Sequence, residues 1–289
     1  MFSDTSSAKR TGIPSWPELR GNERQRHESF TPSGPVSADI ATRSGDVRIR
    51  SHAGRELTVT VTFKGDASPD RLDEVEIDFD QAHNVLSVRT NRGEGGDSMR
   101  SLKGLLKGAS WFDLGGSAPD IDVLMPGDSS VEVSTASGDT LVDGSLDHLG
   151  LASASGDVVV TGTVGVLDVK TASGDVRVGA VRSSFHCRSA SGDVTCDATG
   201  DDTRIHTASG DVVVTARQAG RIEIRAVSGD VRVSVSSGLV VDVNGNSVAG
   251  AVNSTIPLDL LGGGEGDAAT VAIEVSTVSG DIRIDKAAG

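Results

Sequence analysis

A chain of 289 residues has room for one or two domains with a substantial core. Its formal net charge of −14 disfavours phosphate backbones and anionic lipid surfaces. Aromatic residues make up 3% of the chain and Tyr is absent, which removes the stacking platforms of single-strand binders, so nucleic acid is excluded as a partner class.

In chain order, residues 1–35 mix Pro, Gly, Ser, Arg and Glu without apolar periodicity and are expected to be a disordered tail. They lack the apolar run of a signal peptide, and no later stretch reaches the length of a membrane span, so a cytoplasmic location is expected, with cell-envelope association as the alternative. From residue 36 onward Val, Ile, Thr and Ser dominate, and residues 36–289 are expected to be all-β. Residues 36–130 hold an isolated Ser44-Gly45-Asp46 between Ile40 and Val47, then the runs Leu57–Phe63, Val75–Phe79 and Val85–Val88. These read as N-terminal covering strands over an open sheet edge. Within them, 100–115 breaks the alternation. Leu102, Leu105, Leu106 and Ala109 sit at helical spacing opposite Lys103 and Lys107, with Trp111 and Phe112 following. A short helix or loop packed on the fold is expected there, with peripheral contact through 102–112 as the functional alternative.

Residues 131–236 carry a period. Ser-Gly-Asp triplets begin at Ser137, Ser155, Ser173, Ser191 and Ser209, 18 residues apart, and then at Ser228 after 19. Four residues before each Ser stand Val133, Leu151, Val169, Cys187, Ile205 and Ile224; after the corner come Val158, Val176, Val194, Val212 and Val231. The columns between are mixed and mostly polar, among them Glu132, Asp168, His186, Arg204 and Glu223, and Lys170, Arg188, His206 and Arg225. This is the period-two alternation of strands with one buried face, two strands per repeat. Equivalent strands that recur in one direction pair in parallel with their copies, and such crossovers are right-handed in nearly all cases. The expected fold is a right-handed parallel β-solenoid of about 18 residues per turn, closed by irregular turns and a cap over 237–289.

The corner has three readings. The structural one uses Gly138, Gly156, Gly174, Gly192, Gly210 and Gly229 for a backbone angle closed to other residues, and Asp139, Asp157, Asp175, Asp193, Asp211 and Asp230 as acceptors for nearby N–H groups. Stacking those carboxylates about 5 Å apart would cost on the order of 1 kcal/mol per pair in water, a penalty that bound calcium would remove. Against calcium, one corner per turn is a poor source of six to eight oxygen ligands. Against catalysis, a repeat gives every Asp nearly the same surroundings, whereas acid–base chemistry needs unlike ones. No catalytic residue and no cofactor is therefore assigned. Cys187 and Cys196 fall in inward columns and read as buried free thiols; His186 and His206 point outward, too far apart for an easy shared metal, and read as solvated.

The segment Asp122-Val123-Leu124-Met125-Pro126-Gly127, the run Val131–Asp139, the serial A-S-G-D-V-x-V corners and the final S-G-D-I-R-I resemble, over roughly 36–286, the bacterial "putative adhesin" or toastrack β-strand-repeat family of unknown function. The resemblance implies a β-solenoid tied in many members to cell-envelope processes, with no established enzymatic activity and no catalytic residues to carry over. The reading that results is a non-enzymatic scaffold presenting sheet faces, with outward Leu141, Val159 and Val213, to a protein partner. A calcium-stabilised surface adhesin is the alternative, and a polysaccharide-active enzyme the less favoured third.

Overall fold

The computed structural model describes residues 23–64, 74–90, 118–256 and 269–287. Among these are twenty-one strands and no α-helix. In chain order they are β1 (Glu23–Phe30), β2 (Ser37–Thr42), β3 (Val47–His52), β4 (Leu57–Lys64), β5 (Val75–Asp80), β6 (Val85–Thr90), β7 (Pro119–Pro126), β8 (Ser129–Ser137), β9 (Thr140–Asp143) and β10 (Ser145–Ser155). There follow β11 (Val158–Thr171), β12 (Val176–Ser191), β13 (Val194–Ala198), β14 (Asp202–Ser209), β15 (Val212–Ala216), β16 (Gly220–Ser228), β17 (Val231–Val235), β18 (Val240–Ala249), β19 (Val252–Ser254), β20 (Thr270–Ser279) and β21 (Ile282–Lys286). The expected segment 100–115 lies outside the described residues.

The alternation in the repeats becomes two stacks of strands joined at the Ser-Gly-Asp corner. The first stack runs β5-β6-β2-β8-β10-β11-β12-β14-β16-β20-β18, and the second β1-β4-β7-β3-β9-β11-β12-β13-β15-β17-β21-β19. Strands β11 and β12 belong to both, because each continues without a break around the opposite corner. All repeat pairings are parallel and keep the sequence columns in register: Val158 faces Val176, Val176 faces Val194, and Leu167 faces Phe185. One apolar cluster fills the interior, and Val131, Leu149, Leu167, Phe185, Ile205 and Ile224 are fully buried in it. Burying one such side chain is worth about 1.5–3 kcal/mol, and since a lone coil has nothing to bury it against, stacking supplies the stability.

Both ends depart from chain order. At the N-terminal end, β2 and β3 lie between β6/β7 on one side and β8/β9 on the other, and antiparallel β5, β4 and β1 continue the two sheets outward. Part of the stretch expected to be a disordered tail is thus a strand: Glu23–Phe30 pairs with β4 along its whole length. Its polar residues hid it, but an edge strand needs only ladder hydrogen bonds and a few anchors. Phe30 stacks on Phe79 with ring centroids 4.9 Å apart, and Arg26 donates to the Val75 carbonyl at 2.8 Å. At the C-terminal end, β20 and β21 insert between β16/β17 and the earlier-sequence β18/β19. The last coil in space is therefore 240–254 and not the chain's final segment.

Candidate functional site

The Ser-Gly-Asp edge is the most regular chemical feature of the molecule. The glycines have left-handed φ, for example +115° at both Gly156 and Gly174. Beyond the angle there is a contact: a Cβ on Gly174 would stand 2.2 Å from the carbonyl oxygen of Gly156 on the preceding coil. No side chain fits at that approach.

The Asp residues act between coils. Asp157 N–H donates to Asp139 Oδ1 at 2.9 Å, Asp175 N–H to Asp157 Oδ1 at 2.9 Å, Asp193 N–H to Asp175 Oδ1 at 3.0 Å, Asp211 N–H to Asp193 Oδ1 at 2.9 Å and Asp230 N–H to Asp211 Oδ1 at 2.8 Å. The series extends to Asp120, Asp46 and Asp139 before it, and to Asp281 and Ala251 after it. Each coil returns the contact through its backbone: Val158 N–H donates to the Asp175 carbonyl and Val176 N–H to that of Asp193, both at 2.8 Å. The carboxylate ladder is held by charge-assisted bonds to amides, which offset the repulsion along it.

Sequence reading missed a second ladder just inside the corner. The hydroxyl two residues before each Ser turns to that Ser's carbonyl: Thr135 at 3.1 Å, Ser153, Thr171 and Ser189 at 2.9 Å, and Thr207 at 3.1 Å. These side chains are buried, and the bond removes the penalty of burying a hydroxyl. The signal was present as the Thr or Ser that opens most T-A-S-G-D runs, with Ala226 as an exception.

Among the described residues, cations touch only part of the edge. Arg48 Nη2 lies 2.9 Å from Asp46 Oδ2, and Arg177 Nη2 lies 2.6 Å from Asp175 Oδ2. Beside the first rung, Asp120 is buried, 2.7 Å from Lys64 Nζ. That bond raises the Lys64 pKa, against the opposing pull of burial. Burial pushes the neighbouring Asp122 carboxyl up to about 6, Arg48 opposing and Asp120 adding to the rise. Its Oδ1 has no hydrogen-bond partner, the Arg48 contact being 3.7 Å long. A polar hollow of about 380 Å³ lies farther along, lined among others by Asp211, Asp230, Asp281, Arg232, Arg283 and Asn253. Among the described residues, no three His, Cys, Asp or Glu side chains converge as metal ligands.

The remaining candidates separate. Cys187 and Cys196 are free and buried, and burial pushes both thiols up to about 12. His186 sits in a charged network, 3.3 Å from Asp168, 3.4 Å from Asp202 and 3.2 Å from Arg204 Nη1. His206 differs from the expected solvated residue, since its Nε2 is shielded from solvent and has no hydrogen-bond partner. It stands between the long side chains of Arg188 and Arg225 on the adjacent coils. Leu141, Val159, Arg177, Thr195, Val213 and Arg232 form one outward row across the second sheet. Among the described residues no helix is long and apolar enough to cross a membrane.

Several solved structures are similar to this chain. A "putative adhesin" from Bacteroides fragilis is 12% identical, covering 91% of this chain and 97% of that one, with a TM-score of 0.47. A "putative lipid binding protein" from Parabacteroides distasonis is 12% identical over 93% and 98%, with a TM-score of 0.36. A "putative cell adhesion protein" from Clostridium sporogenes is 10% identical over 92% and 100%, with a TM-score of 0.30. No curated protein matches the chain. The family model Toastrack DUF4097 matches residues 39–285, and with its in-register coils and repeated corners the chain belongs to that family.

Proposed function

We propose that this chain is a non-enzymatic scaffold, a right-handed solenoid of about 18 residues and two strands per turn, whose second sheet offers a flat face to a protein partner in cell-envelope processes. The observation that carries the reading is the row Leu141, Val159, Arg177, Thr195, Val213, Arg232. It mixes half-buried aliphatic side chains with guanidinium groups at fixed rung spacing, a composition suited to protein contact. The corner carboxylates support an architectural role, because each spends one oxygen on the next coil's amide.

The test is retention of a native-host partner by the full chain and by Leu141→Ser/Val159→Ser/Val213→Ser. Loss of one defined partner with the melting temperature kept within about 2 °C is expected. Retention undiminished by the triple variant rejects this face. Millimolar calcium separates the alternative. The scaffold reading expects no change in melting temperature, whereas a calcium-stabilised adhesin requires a large rise that is lost when several corner Asp residues become Asn. Fractionation of the host with an antibody to the chain locates it in cytoplasm or envelope.

A further inference from the structure

The first sheet carries a row of a different kind. Lys170 faces Arg188, Arg188 faces His206 and His206 faces Arg225, four basic side chains on consecutive coils of a chain whose net charge is −14. Like charges directly opposite one another across a sheet are destabilising, and an acidic chain has ample carboxylates with which to break up such a row. Carboxylates do so elsewhere on this face: Asp168 holds His186, Asp202 holds Arg204, and Glu223 takes the row's own last member, Arg225, at 2.7 Å, which leaves Lys170 and Arg188. Among the described residues no ion pair reaches Lys170 or Arg188, both of which are exposed. Beside the cations, one step toward the corner on the same face, lie Ala172, Ala190 and Ala208, a shelf of small apolar residues with Ala190 and Ala208 exposed.

We infer that this row and shelf bind an extended acidic polysaccharide with one carboxylate per sugar. The rungs repeat about every 4.8 Å. That spacing is close to the rise of an extended hexose polymer. It differs from the about 6.8 Å between same-face side chains of an extended peptide and from the about 3.4 Å per phosphate along one strand of B-DNA. Sugar carboxylates meet Lys170 and Arg188, while C–H faces of the rings rest on the alanines. Arg is suited to hold a carboxylate with two parallel N–H donors. The inference is independent of the partner face proposed above, which lies on the other sheet.

The experiment is calorimetric titration of the full chain at about 50 mM salt with an oligogalacturonate of about eight sugars, chosen because four rungs span about 15 Å and leave room for register sliding. Saturable binding is expected. Lys170→Ala/Arg188→Ala is expected to weaken it about tenfold or more, and the exposed second-sheet pair Arg177→Ala/Arg232→Ala to leave it unchanged. The methyl-esterified oligomer is expected not to bind. Absence of binding by the parent chain overturns the inference, as does equal weakening by the second-sheet pair, equal binding of the ester, or tighter binding of polyglutamate or single-stranded DNA. None of these outcomes alters retention of a protein partner by the second sheet, so the two readings fail separately.

Discussion

The two corners of each coil differ in what they demand of the sequence. At the Ser-Gly-Asp edge the central coils repeat the same three contacts, Ala226 alone lacking the hydroxyl: a glycine with no space for a Cβ, a carboxylate holding the next amide, and an inner hydroxyl on the Ser carbonyl. At the opposite edge the register slips, between Leu146 and His148, Val160 and Thr163, and Val164 and Val166, and the glycines there differ in their surroundings: a Cβ on Gly162 would stand 1.6 Å from the Gly144 carbonyl oxygen, whereas one on Gly127 meets nothing nearer than 3.5 Å. One edge keeps the same contacts from coil to coil, and the register shifts fall at the other.

Alanine at Gly174 and at Gly127 should differ most widely. Gly174→Ala places a Cβ 2.2 Å from backbone at a φ of +115°, and a loss of about 2–4 kcal/mol is expected by urea unfolding. Gly127→Ala, at the opposite edge, meets nothing nearer than 3.5 Å and should stay within about 0.5 kcal/mol of the parent. Next in size is the ladder itself. Asp193→Ala strands the Asp211 amide and should cost about 1–3 kcal/mol, whereas Asp193→Asn keeps an Oδ1 acceptor and relieves repulsion, so it should lose less than half as much.

A pH experiment probes the flank of the first rung. Between about pH 4 and 6 the folded chain holds a proton on Asp122 that the unfolded chain has lost, so this group lowers stability as pH rises through that window. Asp122→Asn should therefore gain on the parent by on the order of 1–2 kcal/mol from pH 4 to pH 6 and then stay level, a comparison made by thermal unfolding. Smaller still is a pair of hydroxyl deletions. Thr207→Val removes the bond to the Ser209 carbonyl and should cost about 1 kcal/mol. Thr203→Val, near the opposite edge, removes a buried Oγ1 that has no partner and should stabilise by about 0.5–1 kcal/mol.

Columns of Val and Ile made the strands and their register legible, because period-two burial repeats with the coil. The order of coils at the two ends was harder to see, since alternation says which face is inside and not which copy lies next. The ladder supplies the missing signal. Each Gly is required by the coil before it and each Asp by the coil after it. The first coil can therefore lack the Gly, and it reads Ala118-Pro119-Asp120; the last can lack the Asp, and it reads Ala249-Gly250-Ala251. A Cβ on Gly45 would meet the Pro119 carbonyl, and one on Gly250 would meet that of Gly280, in keeping with this order. Strand β1 was illegible for another reason: its residues answer to a neighbouring edge and carry little pattern of their own. Of the candidate site, the corner residues were legible. The inner hydroxyls and the shielding of His206 were not, because both depend on which atoms the stacked coils bring together.

Amide hydrogen exchange read residue by residue tests the ladder most directly. The amides of Asp157, Asp175, Asp193, Asp211 and Asp230 lie at the surface, yet they should exchange as slowly as core amides, and Asp193→Ala should release that of Asp211 while leaving Asp175 protected. Exchange at the rate of open turns in the parent chain, or no selective release in the variant, would contradict the account.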